Sequence, residues 1–288
     1  MIKVALLPAG STSDEAARHL FGDTPVEYRY YSVIADVFLS TVSGETDYSV
    51  IPIENTIEGS VSLHADWLVH EVDLPIQAEW VYPSIQNLIG RLAETAGPDG
   101  SPDFSKITKV FSHPVAMAQC TRFLREYLPH AERETVGSTT EGIRIVKENP
   151  GNGWAAIGTL GGARLHGLDV LRAQVTDHNN NYTRFLLVGR EPFTLRRSDK
   201  AKTSILVTLP EDYPGALHQV LSAFAWRRIN LSRIESRPTK KKLGSYYFFI
   251  DLEMSLETVL LPAAIAEIEA IGCQVRILGS YPSFAWET

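Results

Sequence analysis

Residues 2–21 read IKVALLPAGSTSDEAARHLF, an apolar run followed by a turn and then a segment of mixed polarity. The apolar run, residues 2–7, predicts a buried strand because turn residues follow it directly. Residues 11–21 predict a helix, since hydroxyl side chains open the segment and Ala16, Ala17 and Leu20 recur at helical spacing. A strand that leads into a helix in this way is the repeating unit of an α/β fold.

The same unit recurs through the first two thirds of the chain. Further strands are predicted at residues 48–53, 76–80, 86–88, 110–111, 134–136 and 154–157. Further helices are predicted at residues 33–42, 60–70, 114–127, 138–148 and 159–165. Residues 93–103, which are rich in Gly, Pro and Asp, predict a loop. The alternation indicates an α/β fold with a mainly parallel sheet, in which ligands bind beyond the carboxyl ends of the strands.

A change of composition separates a second domain from the first. Residues 196–202 (RRSDKAK) are charged and lack apolar periodicity, so we place a linker there, between residues 1–195 and residues 203–288. Strands are predicted beyond it at 203–209, 230–237, 246–252 and 273–278, and helices at 215–227 and 259–271. That βαββαβ order predicts a ferredoxin-like domain. We expect an edge of its sheet to pair with a second copy.

Composition argues against several classes of function. The 288 residues carry a net charge of −7 and are 44% hydrophobic, which is typical of a globular protein and disfavours a nucleic-acid partner. The basic run at residues 240–242 is interpreted as a solvated loop between strands. Cys120 and Cys273 lie in apolar stretches and match no metal-ligand spacing, which predicts buried thiols in a reducing compartment. The sequence has no signal-peptide pattern and no apolar run of membrane-spanning length, so we expect a cytoplasmic protein without a membrane partner.

Small polar side chains collect at four places where predicted strands end or begin. They are Ser11 and Thr12, Glu54 and Asn55, Ser138 and Thr139, and residues 179–184, which read NNNYTR. Each place alone is explained as a helix cap or an Asn-rich turn. The places at Ser11, Glu54 and Ser138 each precede a predicted helix, and three helix starts that face one point make an anion site. Arg184, at the fourth place, can hold a carboxylate through two parallel hydrogen bonds. Together they predict a site for a small dicarboxylate.

Several motifs resemble those of the prephenate dehydratase family. In the first domain they are IPIENTIEGSV at residues 51–61, VFSHPVAMAQC at 110–120, GSTTEG at 137–142 and NNYTRF at 180–185. In the second domain they are PGALHQVL at 214–221 and INLSRIESRP at 229–238, which resemble the ACT domain by which this family senses phenylalanine. No segment of the chorismate mutase kind precedes these motifs, so we expect a monofunctional enzyme.

The first loop departs from the family pattern. Where the family has GPxGTFS after its first strand, this chain has Leu7 for the first Gly, Ser11 for Thr and Thr12 for Phe. The motif ENT at residues 54–56 replaces the family's ENS, which is a milder change. These departures leave open which hydroxyl of the first loop meets the substrate, and whether that substrate is prephenate or arogenate.

The resemblance implies a fold, a reaction and a regulator. The family's catalytic domain resembles a two-lobed periplasmic binding protein, here with lobes at about residues 1–78 plus 175–195 and at residues 79–174. Its reaction expels the ring hydroxyl of prephenate as water and the ring carboxylate as CO₂, which gives phenylpyruvate for phenylalanine biosynthesis. No cofactor or metal is implied. Phenylalanine is expected to regulate the enzyme allosterically, in a homodimer or homotetramer joined through the ACT domains.

The resemblance also implies roles for the polar side chains. Thr183 is expected to donate a hydrogen bond to the departing hydroxyl, which gains negative charge as its bond to carbon breaks. Asn55 and Asn181 are expected to orient the substrate or Thr183. The pyruvyl carboxylate is expected to meet Arg184. Further substrate contacts are expected from Ser11, Thr12, Ser138 and Thr139.

Three other residues have weaker claims. Glu54 is a secondary candidate for a general acid, on the condition that it is buried and protonated. Phe185 is a candidate for substrate contact, although its place in an apolar strand favours the core. His113 is a lone histidine after a strand, and a structural role is favoured for it.

The second domain contains a candidate phenylalanine site. The turn before its first helix can bind the carboxylate of an amino acid through the N–H groups of the helix start. The next strand can contact the ammonium group, either within one subunit or across a subunit interface. The candidate residues are Gly215, Ala216, Leu217, Asn230, Leu231, Glu235 and Ser236. Without the resemblance, a structural turn and an edge-strand charge would explain them equally well.

Two alternatives to prephenate dehydratase stay open. The nearer one is arogenate dehydratase, the same chemistry on an amino substrate. The other comes from a different class, a non-catalytic sensor of amino acids in which a solute-binding fold carries an ACT domain. The sequence Thr183-Arg184-Phe185 argues against the sensor, since those residues carry the family's catalytic motif.

Overall fold

The structure is a computed structural model that describes residues 1–211, 213–240 and 246–286. The chain divides into two compact units. The first unit is Met1–Glu71 with Val81–Phe185, and the second is Val72–Trp80 with Leu186–Thr288. Two strands cross the division, since β5 (Ile76–Pro83) and β11 (Tyr182–Gly189) each contribute to both units.

The first unit contains one sheet from its amino-terminal half. Its elements are β1 (Ile2–Leu6), α1 (Thr12–Phe21), β2 (Val26–Tyr30), α2 (Ile34–Val42), β3 (Tyr48–Asn55), β4 (Gly59–Ser60) and α3 (Ser62–Asp66). β1 pairs in parallel with both β2 and β3, β4 pairs antiparallel with β3, and the start of β11 lies next to β3. The strand and helix predicted at residues 2–21 are confirmed, and α1 ends at Gly22 with a positive φ of 55°.

A second sheet occupies the rest of the first unit. Its elements are β6 (Asn87–Gly90), α4 (Leu92–Thr95), β7 (Lys109–Ser112), α5 (Pro114–Ala118), α6 (Thr121–Tyr127), β8 (Glu132–Thr135), α7 (Thr139–Glu148), β9 (Trp154–Gly158), α8 (Leu160–His166) and β10 (Asp169–Arg172). The strand order is β10-β6-β9-β7-β8. β7 pairs in parallel with β8 and β9, but β6 pairs antiparallel with β9 and β10, so this sheet is mixed rather than mainly parallel.

Both faces of the second sheet are buried at its inner strands β6 and β7. Leu88 and Val110 belong to one hydrophobic cluster, whereas their chain neighbours Ile89 and Phe111 belong to another. Successive strand residues point to opposite faces, so each cluster covers one face. Two separate sheets in one unit fit the two-lobed α/β architecture that the sequence predicted, while the bounds of the lobes and of the linker stay predictions.

The loop between β1 and α1 packs closely against the start of α8 at Gly10. A Cβ added at Gly10 would lie 2.8 Å from the Cα of Gly162, and Gly10 also has a positive φ of 73°. The hydroxyl of Thr159 donates to the carbonyl of Gly10 at 2.5 Å. In the first turn of α1, the carboxylate of Glu15 accepts a hydrogen bond from the N–H of Gly161 in α8 at 2.7 Å. Only glycine fits at position 10, which explains the PAG turn between β1 and α1.

The second unit contains the ferredoxin-like pattern. Its elements are β12 (Ala201–Thr208), α9 (Ala216–Ala225), β13 (Leu231–Pro238), β14 (Tyr246–Leu252), α10 (Leu260–Ala270) and β15 (Gln274–Phe284). The strand order is β13-β14-β12-β15, with every pairing antiparallel, and the end of β15 pairs in parallel with β5. Side chains of both helices pack with those of β12 and β14 in one cluster, which confirms the predicted βαββαβ domain.

Several local predictions differ from the structure. The predicted helix at 114–127 is two helices, because the carboxylate of Asp177 accepts hydrogen bonds from the N–H groups of Arg122 and Phe123 and thereby caps a new start. The predicted helix at 60–70 is β4, α3 and a π-helical turn at Trp67–Glu71. β2 and β10 were not predicted. β12 begins at Ala201, inside the predicted linker, and Lys241 and Lys242 of the predicted basic loop lie outside the described residues.

Candidate functional site

Two strand ends bring the NNNYTR stretch against the ENT motif. Asn55 is the last residue of β3, and Tyr182 is the first of β11. The N–H of Thr56 donates to the carbonyl of Tyr182 at 2.9 Å, and the N–H of Tyr182 donates back to the Thr56 hydroxyl at 2.9 Å. That hydroxyl in turn donates to the carbonyl of Asn180 at 2.6 Å. The backbone and the hydroxyl of Thr56 therefore hold together two segments that are more than 120 positions apart.

The side chain of Asn55 is held in one orientation. Its Oδ1 accepts hydrogen bonds from the N–H groups of Ile57 and Glu58, at 2.9 Å and 3.1 Å. Because those backbone groups only donate, the opposite atom, Nδ2, must be the amide nitrogen. Nδ2 lies 3.0 Å from the hydroxyl of Thr183, 2.8 Å from Oδ1 of Asn181 and 3.0 Å from the carbonyl of Tyr182, so its two protons are shared among three acceptors. Asn55 is thus fixed with its amide N–H groups facing the Thr183 hydroxyl.

Asn181 is fixed in the same way and is almost fully buried. Its Nδ2 donates to the carbonyl of Ser84 at 3.0 Å and to Oε1 of Gln119 at 2.9 Å. The N–H of Ser84 donates to the carbonyl of Asn181 at 2.8 Å. Since the carbonyl of Ser84 only accepts, the Asn181 amide presents its oxygen to Asn55. The amides of Gln119, Asn181 and Asn55 therefore form one directed chain.

The hydroxyl of Thr183 lies at the end of this chain. It accepts from Asn55 and lies 2.6 Å from the hydroxyl of Ser84, and the residue is 8% exposed. A hydroxyl oxygen accepts two hydrogen bonds and donates one. An N–H donor at this oxygen stabilises negative charge on it, so the Thr183 proton becomes a stronger hydrogen-bond donor in these buried surroundings. We name Asn55, Ser84, Gln119, Asn181 and Thr183 the amide–hydroxyl network.

Arg184, Glu54 and Phe185 have different surroundings. Arg184 is 9% exposed, and its Nε lies 3.7 Å from Oε2 of Glu54. The side chain of Glu54 is 40% exposed, so it lacks the burial on which its role as a general acid depended. Phe185 is 1% exposed, which favours the core interpretation. A buried guanidinium beside a half-exposed carboxylate leaves Arg184 as the stronger candidate for binding a substrate carboxylate.

Ser11 and Ser138 cap helices. The hydroxyl of Ser11 accepts from the N–H of Asp14 at 3.4 Å, and that of Ser138 accepts from the N–H of Glu141 at 3.0 Å. The carboxylate of Glu141 accepts from the N–H of Gly137 at 2.8 Å, close to the reciprocal pattern of a capping box. Thr12 and Thr139 are the first residues of α1 and α7.

No hydrogen bond within the described ranges joins these helix starts to the amide–hydroxyl network. Each cap hydroxyl accepts one hydrogen bond and still has a proton to donate. Capping and a substrate contact are therefore compatible for Ser11 and Ser138.

Three other candidates are structural. His113 caps α5, since its Nδ1 accepts from the N–H of Val115 at 3.3 Å, and burial lowers its pKa. Cys120 and Cys273 are buried and unpaired with each other, as predicted. Burial, with a contribution from Asp177, raises the pKa of Cys120 to about 12, so its thiol is unreactive.

No group of three or more His, Cys, Asp or Glu side chains within the described ranges is placed to hold a metal ion. Nor do those ranges contain a helix with the length and apolar character needed to span a bilayer.

The predicted phenylalanine site has a left-handed turn and a strand. Gly215 has a φ of 92° and begins α9. On β13 the carboxylate of Glu235 pairs with Arg233 and lies 3.4 Å from Arg237. Glu235 is opposite Phe249 in the register and Ser236 is opposite Phe248, so their side chains point to opposite faces of the sheet. One sheet face therefore offers a ligand either Glu235 or Ser236, and not both.

The other four residues of that predicted site are placed as follows. Ala216 is buried at the start of α9, with Leu217 half-buried beside it. The side chain of Asn230 donates to Oε2 of Glu253 at 2.7 Å, and Leu231 is the first residue of β13. Asn230 therefore directly precedes the strand of Glu235 and Leu231 begins it, while Ala216 and Leu217 follow the Gly215 turn.

Sequence reasoning missed Ser84 and Gln119. Ser84 directly follows β5, within residues 83–87 (PSIQN), and Gln119 lies in the HPVAMAQC stretch at residues 113–120. Both are buried polar residues, with 6% and 7% exposure. The available signal for Ser84 is its place shortly after a predicted strand, whereas Gln119 lies inside a stretch that is predicted as one helix and has no such signal.

The chain matches known proteins along nearly its whole length. A model of the prephenate dehydratase family matches residues 4–193, and a model of the ACT domain matches residues 203–270. The prephenate dehydratase of Bacillus subtilis strain 168 is 36% identical over 289 residues, which cover 98% of this chain and 99% of that protein.

Solved structures add two full-length neighbours. A crystal structure of prephenate dehydratase from Arthrobacter aurescens in complex with L-Phe has a TM-score of 0.84 and 32% identity, over 98% of this chain and 90% of that one. GqqA, described as a novel type of quorum quenching acylases, has a TM-score of 0.82 and 26% identity, over 98% of each chain. One fold therefore carries two described activities among these neighbours, so activity must be argued from the site.

Proposed function

The chain belongs to the prephenate dehydratase family, and we propose that it converts prephenate to phenylpyruvate, water and CO₂ under feedback control by phenylalanine. The observation that carries the proposal is the hydroxyl of Thr183, buried and held by the fixed amide of Asn55 at 3.0 Å. The reaction needs a hydrogen-bond donor at an oxygen that departs with negative charge, in surroundings that exclude water.

Thr183 donates to the departing ring hydroxyl in this mechanism. The carbon–oxygen bond breaks as the electrons of the ring carboxylate's carbon–carbon bond enter the ring. The departing oxygen takes the proton of Thr183 and leaves as water, and a proton from solvent restores the Thr183 hydroxyl once the products have left. Aromatisation of the ring drives both events. Asn55 stabilises the charge that develops on the Thr183 oxygen, and Asn181 holds Asn55 in place through its own amide.

The two carboxylates of the substrate need different treatment. The pyruvyl carboxylate keeps its charge, so Arg184 holds it and the starts of α1 and α7 add N–H groups and hydroxyls from Ser11, Thr12, Ser138 and Thr139. The ring carboxylate loses its charge as CO₂ leaves. Strong pairing there would stabilise the ground state over the transition state, so only weak contacts are expected around it.

Phenylalanine regulates through the ACT domain, at the turn of Gly215 and the strand of Glu235. β13 ends the strand order of its sheet, so the described part of that domain offers an edge for pairing with a second copy. We expect a homodimer or homotetramer of a cytoplasmic enzyme. Calorimetry of the intact protein is expected to show phenylalanine binding with inhibition of turnover, and an absence of binding would contradict the regulatory part.

A side-by-side assay tests the catalytic part. Purified protein is incubated with prephenate and, separately, with arogenate, and the aromatic products are followed by absorbance. Formation of phenylpyruvate at a higher kcat/KM than phenylalanine from arogenate supports the proposal, and the reverse preference would make the enzyme an arogenate dehydratase. No aromatic product from either substrate would favour the non-catalytic sensor.

A further inference from the structure

A serine hydroxyl next to Thr183 has no role in the proposed mechanism as stated. Oγ of Ser84 lies 2.6 Å from Oγ1 of Thr183, and both residues are buried. We propose that Ser84 is a positioning residue, which donates its proton to Thr183 and thereby turns the Thr183 proton towards the departing oxygen of the substrate. This inference rests on the proposed dehydratase function.

The orientation of the Asn55 amide limits the hydrogen bonds that the hydroxyls of Ser84 and Thr183 can make. Asn55 donates to Thr183, and it cannot accept there because its nitrogen carries only protons. The pair of hydroxyls then has two protons, and one of them bridges the 2.6 Å gap. Within the described ranges, the other proton has no hydrogen-bond acceptor. A substrate oxygen is the acceptor that completes the set.

Two arrangements of the bridging proton are conceivable, and they differ in which residue meets the substrate. If Thr183 donates to Ser84, the proton left over belongs to Ser84. If Ser84 donates to Thr183, both lone pairs of Thr183 are occupied, and its proton can only point to a third oxygen. The second arrangement leaves the proton of Thr183, rather than that of Ser84, for the departing oxygen of the substrate.

The backbone of Ser84 is fixed independently of its hydroxyl. Its N–H donates to the carbonyl of Asn181 at 2.8 Å, and its carbonyl accepts from the Asn181 side chain at 3.0 Å. A Ser84→Ala variant keeps both hydrogen bonds and loses only the hydroxyl. The variant therefore isolates the donor to Thr183 without dismantling the amide–hydroxyl network.

Ser40 offers a matched control in the same unit. It is a buried serine whose hydroxyl lies 2.9 Å from the hydroxyl of Thr46 and 3.0 Å from the carbonyl of Val37. Ser40→Ala removes a comparable serine–threonine contact from α2, outside the amide–hydroxyl network. The loss of a buried hydroxyl should affect the melting temperature of Ser84→Ala and Ser40→Ala alike. Only Ser84→Ala should have a lower turnover.

The experiment compares kcat, KM and melting temperature for wild type, Ser84→Ala, Ser84→Thr and Ser40→Ala with prephenate. For Ser84→Ala we expect kcat to fall about tenfold, the effect of one hydrogen bond, with KM within about twofold of wild type. Ser84→Thr retains the hydroxyl and is expected to recover most of the loss. Ser40→Ala is expected to keep the wild-type kcat.

Three results would overturn the inference. An unchanged kcat in Ser84→Ala, with wild type active, rejects the role of Ser84 while the proposed function stands. A fall of about a hundredfold or more would make Ser84 itself the donor to the substrate, contrary to the positioning role. If wild type forms no phenylpyruvate, the proposed function fails, and the inference fails with it.

Discussion

The amide–hydroxyl network and the helix starts at Ser11 and Ser138 are built from the same kinds of small polar side chains, yet they are held differently. Each cap hydroxyl bonds to a backbone N–H three residues further along its own chain segment. Asn55 instead reaches Thr183, 128 positions away, through a side chain–side chain hydrogen bond. A cap is explained by its helix alone, whereas the long-range contact has no local cause. The network therefore carries the functional argument more directly than the caps do.

The largest effect is expected from Thr183→Ala. Removal of the hydroxyl should lower kcat by about a hundredfold or more, because the departing oxygen loses its donor. The substitution is small, and Thr183 lies in β11, whose backbone pairing does not depend on the side chain, so circular dichroism and melting temperature should stay near wild type. Turnover within about threefold of wild type would remove Thr183 from the mechanism.

Asn55→Ala should lower kcat by about thirtyfold, less than Thr183→Ala because Thr183 keeps its own proton. The unfolding free energy should also fall, by about 0.5–1.5 kcal/mol, since the exposed backbone N–H groups of Ile57 and Glu58 exchange the Asn55 oxygen for water. Asn152, an exposed asparagine that bonds to the carbonyl of Asn149, provides the control, and Asn152→Ala should change neither quantity much. Equal effects from the two variants would mean that Asn55 acts on stability alone.

Ser138 separates capping from substrate binding. Ser138→Asp keeps a cap acceptor and a favourable charge at the helix start, so stability should be retained, whereas Ser138→Ala should lose about 1 kcal/mol. An added carboxylate beside a dianionic substrate should raise KM about tenfold in Ser138→Asp, with kcat less affected. A KM equal to that of wild type would show that Ser138 only caps α7.

The smallest effect concerns Glu15, behind the first loop. Burial raises its pKa above the usual 4.5, although the N–H of Gly161 opposes the change. The native state then holds the proton more tightly than the unfolded chain, so this carboxyl's contribution to stability is full below about pH 4.5 and declines as pH rises through the native pKa.

Glu15→Gln does not titrate, so its unfolding free energy relative to wild type should improve as pH rises from about 4.5 to 7. Urea unfolding at several pH values measures this difference, with the exposed Glu126→Gln as the control. If the difference in unfolding free energy between Glu15→Gln and wild type does not change with pH, the pKa of Glu15 is not raised in the native state.

Much of the fold was predictable because local signals and tertiary structure agree. The segment at residues 2–21 has a turn glycine, a cap serine and helical spacing, and both elements form as predicted. The break between α5 and α6 was not predictable, because the cap on α6 comes from Asp177, more than fifty positions away. β10 and the antiparallel direction of β6 were missed for a similar reason, since pairing direction depends on partners that the local sequence does not specify.

The site was predictable only where residue type limits the chemistry. Asn55, Asn181 and Thr183 stand out as amides and a hydroxyl at strand ends, and they do meet. Ser84 and Gln119 were missed because a single serine or glutamine has no distinctive spacing, and only the folded chain shows what each one touches. The opposite directions of Glu235 and Ser236 follow from strand alternation, which the sequence analysis did not apply there.

A crystal structure of Thr183→Ala soaked with prephenate tests the central claim most directly, since this variant should bind the substrate and turn it over slowly. The account predicts the pyruvyl carboxylate about 3 Å from the Arg184 guanidinium, the ring hydroxyl pointing at position 183, and the starts of α1 and α7 within contact of the ligand. Prephenate bound with none of its oxygens near Arg184 or position 183 would contradict the account.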